Sequence, residues 1–483
     1  MDIKKFLESE YSYENFKKFI FDKFYGFEEN DIEYEEPDTN IEQKHILKYK
    51  FMGSCQLDDK KEIGFFEVIT TEKTDIENNR VSLGNILKNK ASNELLDSAI
   101  AVFYNPNNPS VWRLSFIKFS YDENDKKEVS NLKRFTYVLG KNIPIKTAYN
   151  QLKNLKYPSL IELEEAFSVD KVTKEFFINY KDLYFKLVKD LTVVNQKNIT
   201  QQEEKILEDN KQVSFYIKKL LGRIVFLYFV QKKGWLNSDR KFLSNLFYNF
   251  TKENPNINFY DEILEDLFFN ALNTKRDNDK INLGGNEYEI PYLNGGLFEE
   301  DEYDKTDLTI TNENLKQVLE LFDSYNFTVI EDTPHDSEIA IDPEMLGRVF
   351  EDLLEDRKEK GAFYTPREIV HYMCQQSIIN YLLNFYGEDS LEDIKSLVIE
   401  DKTDTKFIRN NAKDIKNYLE NIKVLDPAIG SGAFPMGMLH EIVAVLSNLD
   451  KTADIGQLKR KVIENSIYGV DIEHSAVEIA KLR

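Results

Sequence analysis

Asp426, Gly430 and Gly432 stand in the run Val424-Leu425-Asp426-Pro427-Ala428-Ile429-Gly430-Ser431-Gly432-Ala433-Phe434. A short apolar stretch ends on a carboxylate, a glycine loop follows, and an apolar helix is predicted from about 435 to 446. In an open α/β sheet, ligands bind where the carboxyl end of a strand meets a helix N-terminus. Glycines there let the backbone approach a ligand and take φ values closed to other residues. The carboxylate selects the ligand class, because it repels a phosphate and attracts an ammonium or a hydroxyl. That chemistry points away from a nucleotide phosphate and toward a molecule with an amino group and a ribose, such as S-adenosylmethionine. An ordinary strand-to-helix turn of a metabolic α/β enzyme would show the same loop. A second strand, 466–471, again ends in an acid, Asp471, which can accept from both ribose hydroxyls.

A second set of acids lies near the N-terminus. Asp58 or Asp59 with Glu67 could hold Mg²⁺ beside a lysine, as in a metal-dependent nuclease core. The lysine belongs two residues after the glutamate, where Ile69 stands; Lys73 is the nearest and lies beyond that spacing. A solvated hairpin is the favoured reading of these acids. Lys218, Lys219, Arg223, Lys232 and Lys233 make a basic cluster that could touch a phosphate backbone, although a solvated helix face is the commoner case.

The elements that must position these residues follow from periodicity and turn chemistry. Residues 1–24 read as one amphipathic helix, and 28–38 as an acidic loop. Strands are predicted at 46–57, 62–71, 99–104 and 112–121, with a helix at 80–96 and a Pro/Asn turn at 105–109. The β-β-α-β-β order ends near 150. Residues 151–355 read as mostly helical, with long helices at 167–191 and 210–234. Asp342 and Pro343 open a helix that runs to about 354. Thr365 with Glu368 predicts a capping box, with Pro366 in the first helical position and Ile369, Val370, Met373, Ile378, Leu382 and Leu383 on the buried face.

Bulk properties narrow the class. The chain has 483 residues and a net charge of −22. That charge excludes a surface-wide nucleic-acid footprint, which needs Lys and Arg, and leaves room for a local basic groove. Two cysteines, Cys55 and Cys374, exclude a disulfide framework and a four-cysteine zinc site and fit a reducing cytoplasm. The apolar run 224–230 is far short of the about 20 residues a membrane span needs. The N-terminus lacks the pattern of a signal peptide.

In chain order, Gly361 to Pro366 resembles the Phe-Tyr-Thr-Pro motif of adenine-N6 DNA methyltransferases. Asp426 to Phe434 resembles their Asp-Pro-Ala-x-Gly-x-Gly-x-Phe motif, and Tyr468 to Asp471 their ribose-binding strand. Further upstream, 67–116, the Leu-Asn-Gly-Gly-Leu-Phe turn at 293–298 and the Asp-Pro-Glu-Met-Leu-Gly-Arg stretch at 342–348 look like fused type IIG restriction–modification enzymes. The resemblance implies an α/β chain in three parts: a nuclease-like α/β domain (1–150), a helical connector (151–355), and the first part of a Rossmann-like S-adenosylmethionine-dependent methyltransferase domain (356–483). It implies that Tyr364, Thr365 and Pro366 line the methionine end of the cofactor. Asp426, Ala428, Gly430 and Gly432 would form the loop beneath it, with Phe434 as a wall. Asp471 would bind the ribose and Ile472 lie against the adenine. Ile429 replaces a cysteine common in this loop and is expected to face packing. The implied substrate is double-stranded DNA, with methyl transfer to the N6 amine of a flipped adenine. Mg²⁺ would serve a nuclease domain, and the compartment would be the cytoplasm.

The family orients the amine with an Asn-Pro-Pro-Tyr type motif after the second acid-tipped strand. No Asn-Pro-Pro or Asp-Pro-Pro occurs in this sequence. The expectation is therefore a fragment or one half of an enzyme, with no catalytic residue for methyl transfer in this chain and no transferase activity alone. A separate C-terminal half would carry the catalytic motif and the target-recognition domain. The alternative is a non-catalytic assembly or binding module that completes a separate methyltransferase subunit. A nicotinamide-dependent dehydrogenase fits less well: a third glycine is missing, and Asp471 lies about twice as far on as the ~20 residues of that fingerprint.

Overall fold

The computed structural model describes all residues except 31–32, 38–42, 44, 77–94, 122–128, 197–202, 294–295, 302–303, 306–307, 330–335, 346–364, 451, 473–475, 478–479 and 482–483. The strands are β1 (Glu28–Glu29), β2 (Ile46–Gln56), β3 (Glu62–Thr70), β4 (Ser98–Asn105), β5 (Asn108–Tyr121), β6 (Val129–Gly140), β7 (Lys280–Leu283), β8 (Asn286–Glu289), β9 (Asp336–Glu338), β10 (Val424–Asp426) and β11 (Ile467–Gly469). The α-helices are α1 (Ile3–Glu8), α2 (Tyr13–Lys23), α3 (Lys146–Leu152), α4 (Leu160–Ala166), α5 (Val169–Gln196), α6 (Glu203–Lys232), α7 (Phe242–Glu253), α8 (Asn312–Asp323), α9 (Arg367–Tyr386), α10 (Leu391–Ile399), α11 (Lys406–Asn421), α12 (Ala433–Leu449) and α13 (Ile455–Ser466). The chain is mixed α/β and divides into two compact units. One comprises Met1–Asn210, Leu227–Glu262 and Thr309–Asp342, the other Lys211–Phe226, Ile263–Leu308 and Pro343–Arg483. No described helix is long and apolar enough to cross a membrane.

The first unit holds a seven-stranded mixed sheet in the order β1-β2-β3-β4-β5-β6-β9. The β3–β4 and β6–β9 pairs are parallel and the rest antiparallel. β3 is apolar on both faces and runs through the middle, as a central strand should. Phe66 and Val68 face a core with Phe51, Ala101 and Phe103. Phe65 instead meets Phe24 of the N-terminal helices, ring centroids 4.9 Å apart. The single helix expected over 1–24 is broken: the Tyr11 N–H donates to the Pro109 carbonyl at 2.8 Å, and Trp112 donates to the Ser9 carbonyl. The pairing of 9–11 with the sheet side takes precedence over continuing one helix. β1 lies within the acidic stretch read as loop, and β6 was not foreseen.

Two ion pairs fasten β9 to this sheet. Arg113 meets Glu338 at 3.0 Å, both buried, and Arg134 is bidentate on Asp336. An aromatic group of Phe176, Tyr180, Tyr228, Phe322 and Phe327 fills the space between α5, α8 and the C-terminal end of α6.

In the second unit, Arg223 corrects the reading of the basic cluster as a solvated face or phosphate contact. Its guanidinium is buried, bonds both Asp304 oxygens at 2.7 and 2.9 Å and the Leu297 and Glu299 carbonyls, and lies over the Phe268 and Phe269 rings. Lys219 joins Asp304 at 2.8 Å. These cations satisfy the folded loop after the glycine turn, of which Asn294 and Gly295 lie outside the described residues.

Residues 365–472 of the same unit build a helical layer beside a two-stranded parallel sheet. Val370, Cys374, Ile378 and Leu382 of α9 enter a core with Ile394, Leu397, Ile408, Ile415, Leu419, Met438, Ile442 and Leu446. α11 starts on Thr405, whose hydroxyl accepts from the Ile408 N–H, and α13 on Asp454, which accepts from Gln457. Two expectations for α9 are corrected. Pro366 is its N-cap and no side chain caps it, so the Thr365–Glu368 box does not form. Ile369 and Met373 are about half exposed, because α12 takes the Val370–Cys374 side of the helix. The helix expected at 80–96 and the one after Pro343 lie largely outside the described residues.

Candidate functional site at the ends of two parallel strands

β10 and β11 pair in parallel, with Leu425 opposite Tyr468 and Asp426 opposite Gly469. The loop after β10 is tied to the tip of β11 through the main chain. The Val470 N–H donates to the Asp426 carbonyl at 2.9 Å, and the Ile429 N–H returns to the Val470 carbonyl at 3.0 Å. Each acid then accepts a loop amide. Asp426 Oδ1 takes the Ala428 N–H at 3.1 Å, and Asp471 Oδ2 takes the Gly430 N–H at 2.8 Å. Gly430 has φ +52° and Gly432, the N-cap of α12, has φ +87°, where a side chain is strained. Gly432 also lacks room, since a Cβ there would stand 3.1 Å from that of Ala480.

Asp426, Ala428, Gly430, Gly432 and Asp471 are thus brought together. Thr365 and Pro366 immediately precede α9, which begins at Arg367 and rests on α12: a Cβ on Gly437 would lie 2.6 Å from Val370 Cγ1. The Cys374 thiol donates to the Phe434 carbonyl at 3.7 Å. Ile472 follows Asp471 and is 94% exposed. Tyr364, with Phe363, lies outside the described residues. Leu425, Tyr468 and Val470 alternate onto one face of the strand pair and are all exposed. Two carboxylates fixed by backbone donors at adjacent strand ends, with an apolar side chain beside them, can accept from an ammonium and from ribose hydroxyls. This set of acceptors therefore fits S-adenosylmethionine.

Ile429 does face packing, as anticipated, but its partner was missed. Its side chain fills the bare face of Gly469, where a Cβ would approach Cδ1 to 2.1 Å. His371 and Glu441, hydrogen-bonded across α9 and α12, were also missed. A signal existed for the second: one carboxylate in an otherwise apolar helix needs a partner when it is buried.

The acids of the first unit are arranged differently. Glu67 is buried in the middle of β3 and accepts from the Tyr11 hydroxyl at 2.6 Å and from the Tyr34 hydroxyl. Burial first, then the Glu67 charge, pushes the Tyr11 hydroxyl well above the usual tyrosine range. Tyr104, also near Glu67, is pushed up to about 12 for the same reasons in the same order. Asp58 and Asp59 remain in the β2–β3 turn, where Asp59 accepts from the Leu160 N–H at 3.1 Å. Five residues of extended strand, about 16 Å, separate the start of β3 from Glu67. The structure therefore does not bring Asp58 or Asp59 to Glu67. Lys50, cross-strand from Glu67, and Lys48 lie over the Tyr34 ring at 5.9 and 4.4 Å. Among the described residues, no group of three or more His, Cys, Asp or Glu is placed to hold a metal ion.

Comparison with known proteins supplies independent relatives. A family described as a domain of unknown function, DUF7814, matches residues 171–345. A Methanocaldococcus jannaschii protein provisionally named as a type II restriction enzyme and methyltransferase, RM.MjaORFECS2P, is 30% identical over 77% of this chain and 36% of its own length. The adenine-specific methyltransferase BrxX of Escherichia coli O9:H4 is 31% identical over 28% of this chain and 11% of its own. The type IIL restriction–modification enzyme MmeI, solved in complex with DNA, aligns with 65% of this chain and 35% of its own at 18% identity and a TM-score of 0.36, too slight a likeness to argue from. This chain spans about a third of the first relative and a ninth of the second. Both of these homologues carry the name of methyltransferase.

Proposed function

We propose that this chain contributes the S-adenosylmethionine-binding part of an adenine-specific DNA methyltransferase belonging to a restriction–modification enzyme, and that it divides functionally into 1–150, 151–355 and 356–483. The observation that carries the reading is the pair of strand-end acids held by loop amides, Asp426 on Ala428 and Asp471 on Gly430. In this role Asp426 faces the amino group of the cofactor, Asp471 the ribose and Ile472 the adenine, while Thr365 and Pro366 line the methionine end and Phe434 helps wall the pocket. The cofactor supplies an electrophilic methyl group. The chain's residues bind and orient it. The substrate is double-stranded DNA, consistent with the names of the homologues.

Calorimetric titration with S-adenosylmethionine tests this. Saturable binding that weakens in Asp426→Ala and Asp471→Ala supports it, and no binding by the wild-type chain removes it. The first unit is read as not cleaving DNA. Glu67 is closed by two tyrosines and Ile69 stands in the lysine position. Mg²⁺-dependent cleavage that disappears in Glu67→Ala would reverse that. The exposed face of Leu425, Tyr468 and Val470 favours a second reading, an assembly module that completes a separate methyltransferase subunit. Cofactor binding by the chain without a partner decides against it.

A further inference from the structure

We infer that the His371–Glu441 contact is a clamp setting the spacing between the two walls of the cofactor pocket, with His371 as a positioning residue. The inference rests on reading 365–366, 426–434 and 471–472 as that pocket. α9 begins directly after Thr365–Pro366, and α12 begins directly after Gly432. Whatever fixes α9 against α12 therefore fixes one wall against the other. Beside the apolar core that the two helices share, three contacts do so. Val370 and Cys374 lie on the bare backbone of Gly437, the Cys374 thiol meets the Phe434 carbonyl, and His371 Nδ1 is hydrogen-bonded to Glu441 Oε1.

The first is close packing and the second a weak thiol hydrogen bond, and both tolerate some sliding. The third is directional and sets the register. Glu441 is nearly buried on a helix whose neighbours Ile442, Val443, Val445 and Leu446 are apolar, so sliding would strand a carboxylate. At 1.5 Å per residue, Glu441 lies about 13 Å along α12 from Gly432, and His371 about 8 Å along α9 from Pro366. The clamp is therefore remote from the ligand and acts only through helix position.

The clamp also titrates. Facing His371 are Glu441 from α12 and Asp401 from the segment after α10, itself held by the Asn448 amide at 2.6 Å. In sequence, Glu368 and Cys374 flank it on α9 and His440 precedes Glu441 on α12. The Cys374 thiol is pushed up to about 12, by burial first and Glu441 second, and stays protonated. The hydrogen bond to Glu441 raises the imidazole above its ordinary range, burial opposes this, and the Glu441 and Asp401 charges add to the rise. The folded state thus favours the charged ring. That contribution is complete below about pH 6.5, the ordinary histidine value, and fades as pH rises through the raised one.

Calorimetric titration with S-adenosylmethionine from pH 6 to 9 on wild type, His371→Gln and Glu441→Gln tests the clamp. Ratios of affinity cancel the titration of the ligand's own amino group. At pH 6 wild type should bind about fivefold more tightly than either variant, the low end of coupling between sites, and the ratio should shrink toward one by pH 9. A ratio that does not change with pH, or Glu441→Gln binding like wild type, overturns the proposal. If wild type binds no cofactor at any pH, the pocket reading falls and thermal unfolding judges the clamp. His371→Gln should then lower Tm more at pH 6 than at pH 9, and an equal loss at both overturns it.

Discussion

Two sets of carboxylates serve opposite ends in this molecule. Glu67 sits in the middle of a central strand, closed over by Tyr11 and Tyr34, and belongs to the core. Asp426 and Asp471 sit at strand ends, each accepting from a loop amide. A carboxylate satisfied by side chains from distant segments is part of what holds those segments together. Each strand-end acid is instead oriented by a backbone amide of the glycine loop and stays partly exposed. The difference is that between a structural acid and a binding acid, and residue type alone does not reveal it.

The comparison breaks most sharply at Glu67. Glu67→Ala leaves the buried Tyr11 hydroxyl and the part-exposed Tyr34 hydroxyl without their acceptor and should cost about 3 kcal/mol in urea unfolding, with cofactor affinity unchanged. A loss under 1 kcal/mol would make Glu67 no more structural than the strand-end acids. Gly469→Ala drives a methyl group into Ile429 and should destabilise by about 2 kcal/mol. Ile429→Ala in the same chain should recover much of that, and a double-mutant cycle reads the coupling.

Acid provides a third test, on a carboxylate held by cations. Asp304 is desolvated, which alone would raise it, yet Arg223 and then Lys219 hold it down at about 2. Its contribution is present above the ordinary carboxylate value of about 4 and is lost as pH falls from there toward 2. Asp304→Asn should therefore remove part of the acid-induced loss of stability over that window, as followed by circular dichroism. At the strand ends the effect should move from stability to binding. Asp471→Asn keeps an acceptor for Gly430 and should leave unfolding nearly unchanged while weakening S-adenosylmethionine about tenfold, as loss of a charged acceptor would. Smallest should be Ile472→Ala, which removes an exposed side chain and should weaken binding about threefold at constant stability.

Much of the strand-end site was legible because it is local. Asp426, Gly430 and Gly432 lie within seven residues, and a strand, a tight turn and a helix over that span leave few alternatives. β2, β3 and β4 were legible for a similar reason, since β-branched and aromatic runs between turn residues read as strands. What escaped depended on distant partners. The break at Ser9–Ser12 reflects Pro109 and Trp112, roughly 100 residues away, and Arg223 looked like surface charge until Asp304 and two carbonyls closed over it. The exposed side of α9 was misassigned because two of its faces are apolar, and only the position of α12 decides which is buried.

Local spacing thus determined the strand–loop–helix with its acid, the second acid-tipped strand and the mixed α/β class. These follow from backbone rules acting over about ten residues, where turn chemistry and side-chain period outweigh longer contacts. Only the tertiary structure decided that the Asp471 carboxylate meets the Gly430 amide, that Gly469 is bare for Ile429, that Glu441 finds His371, and that Glu67 is sealed. Each of those joins residues dozens of positions apart. The sequence pattern carries no record of which distant partner a buried polar group will find, only that it must find one.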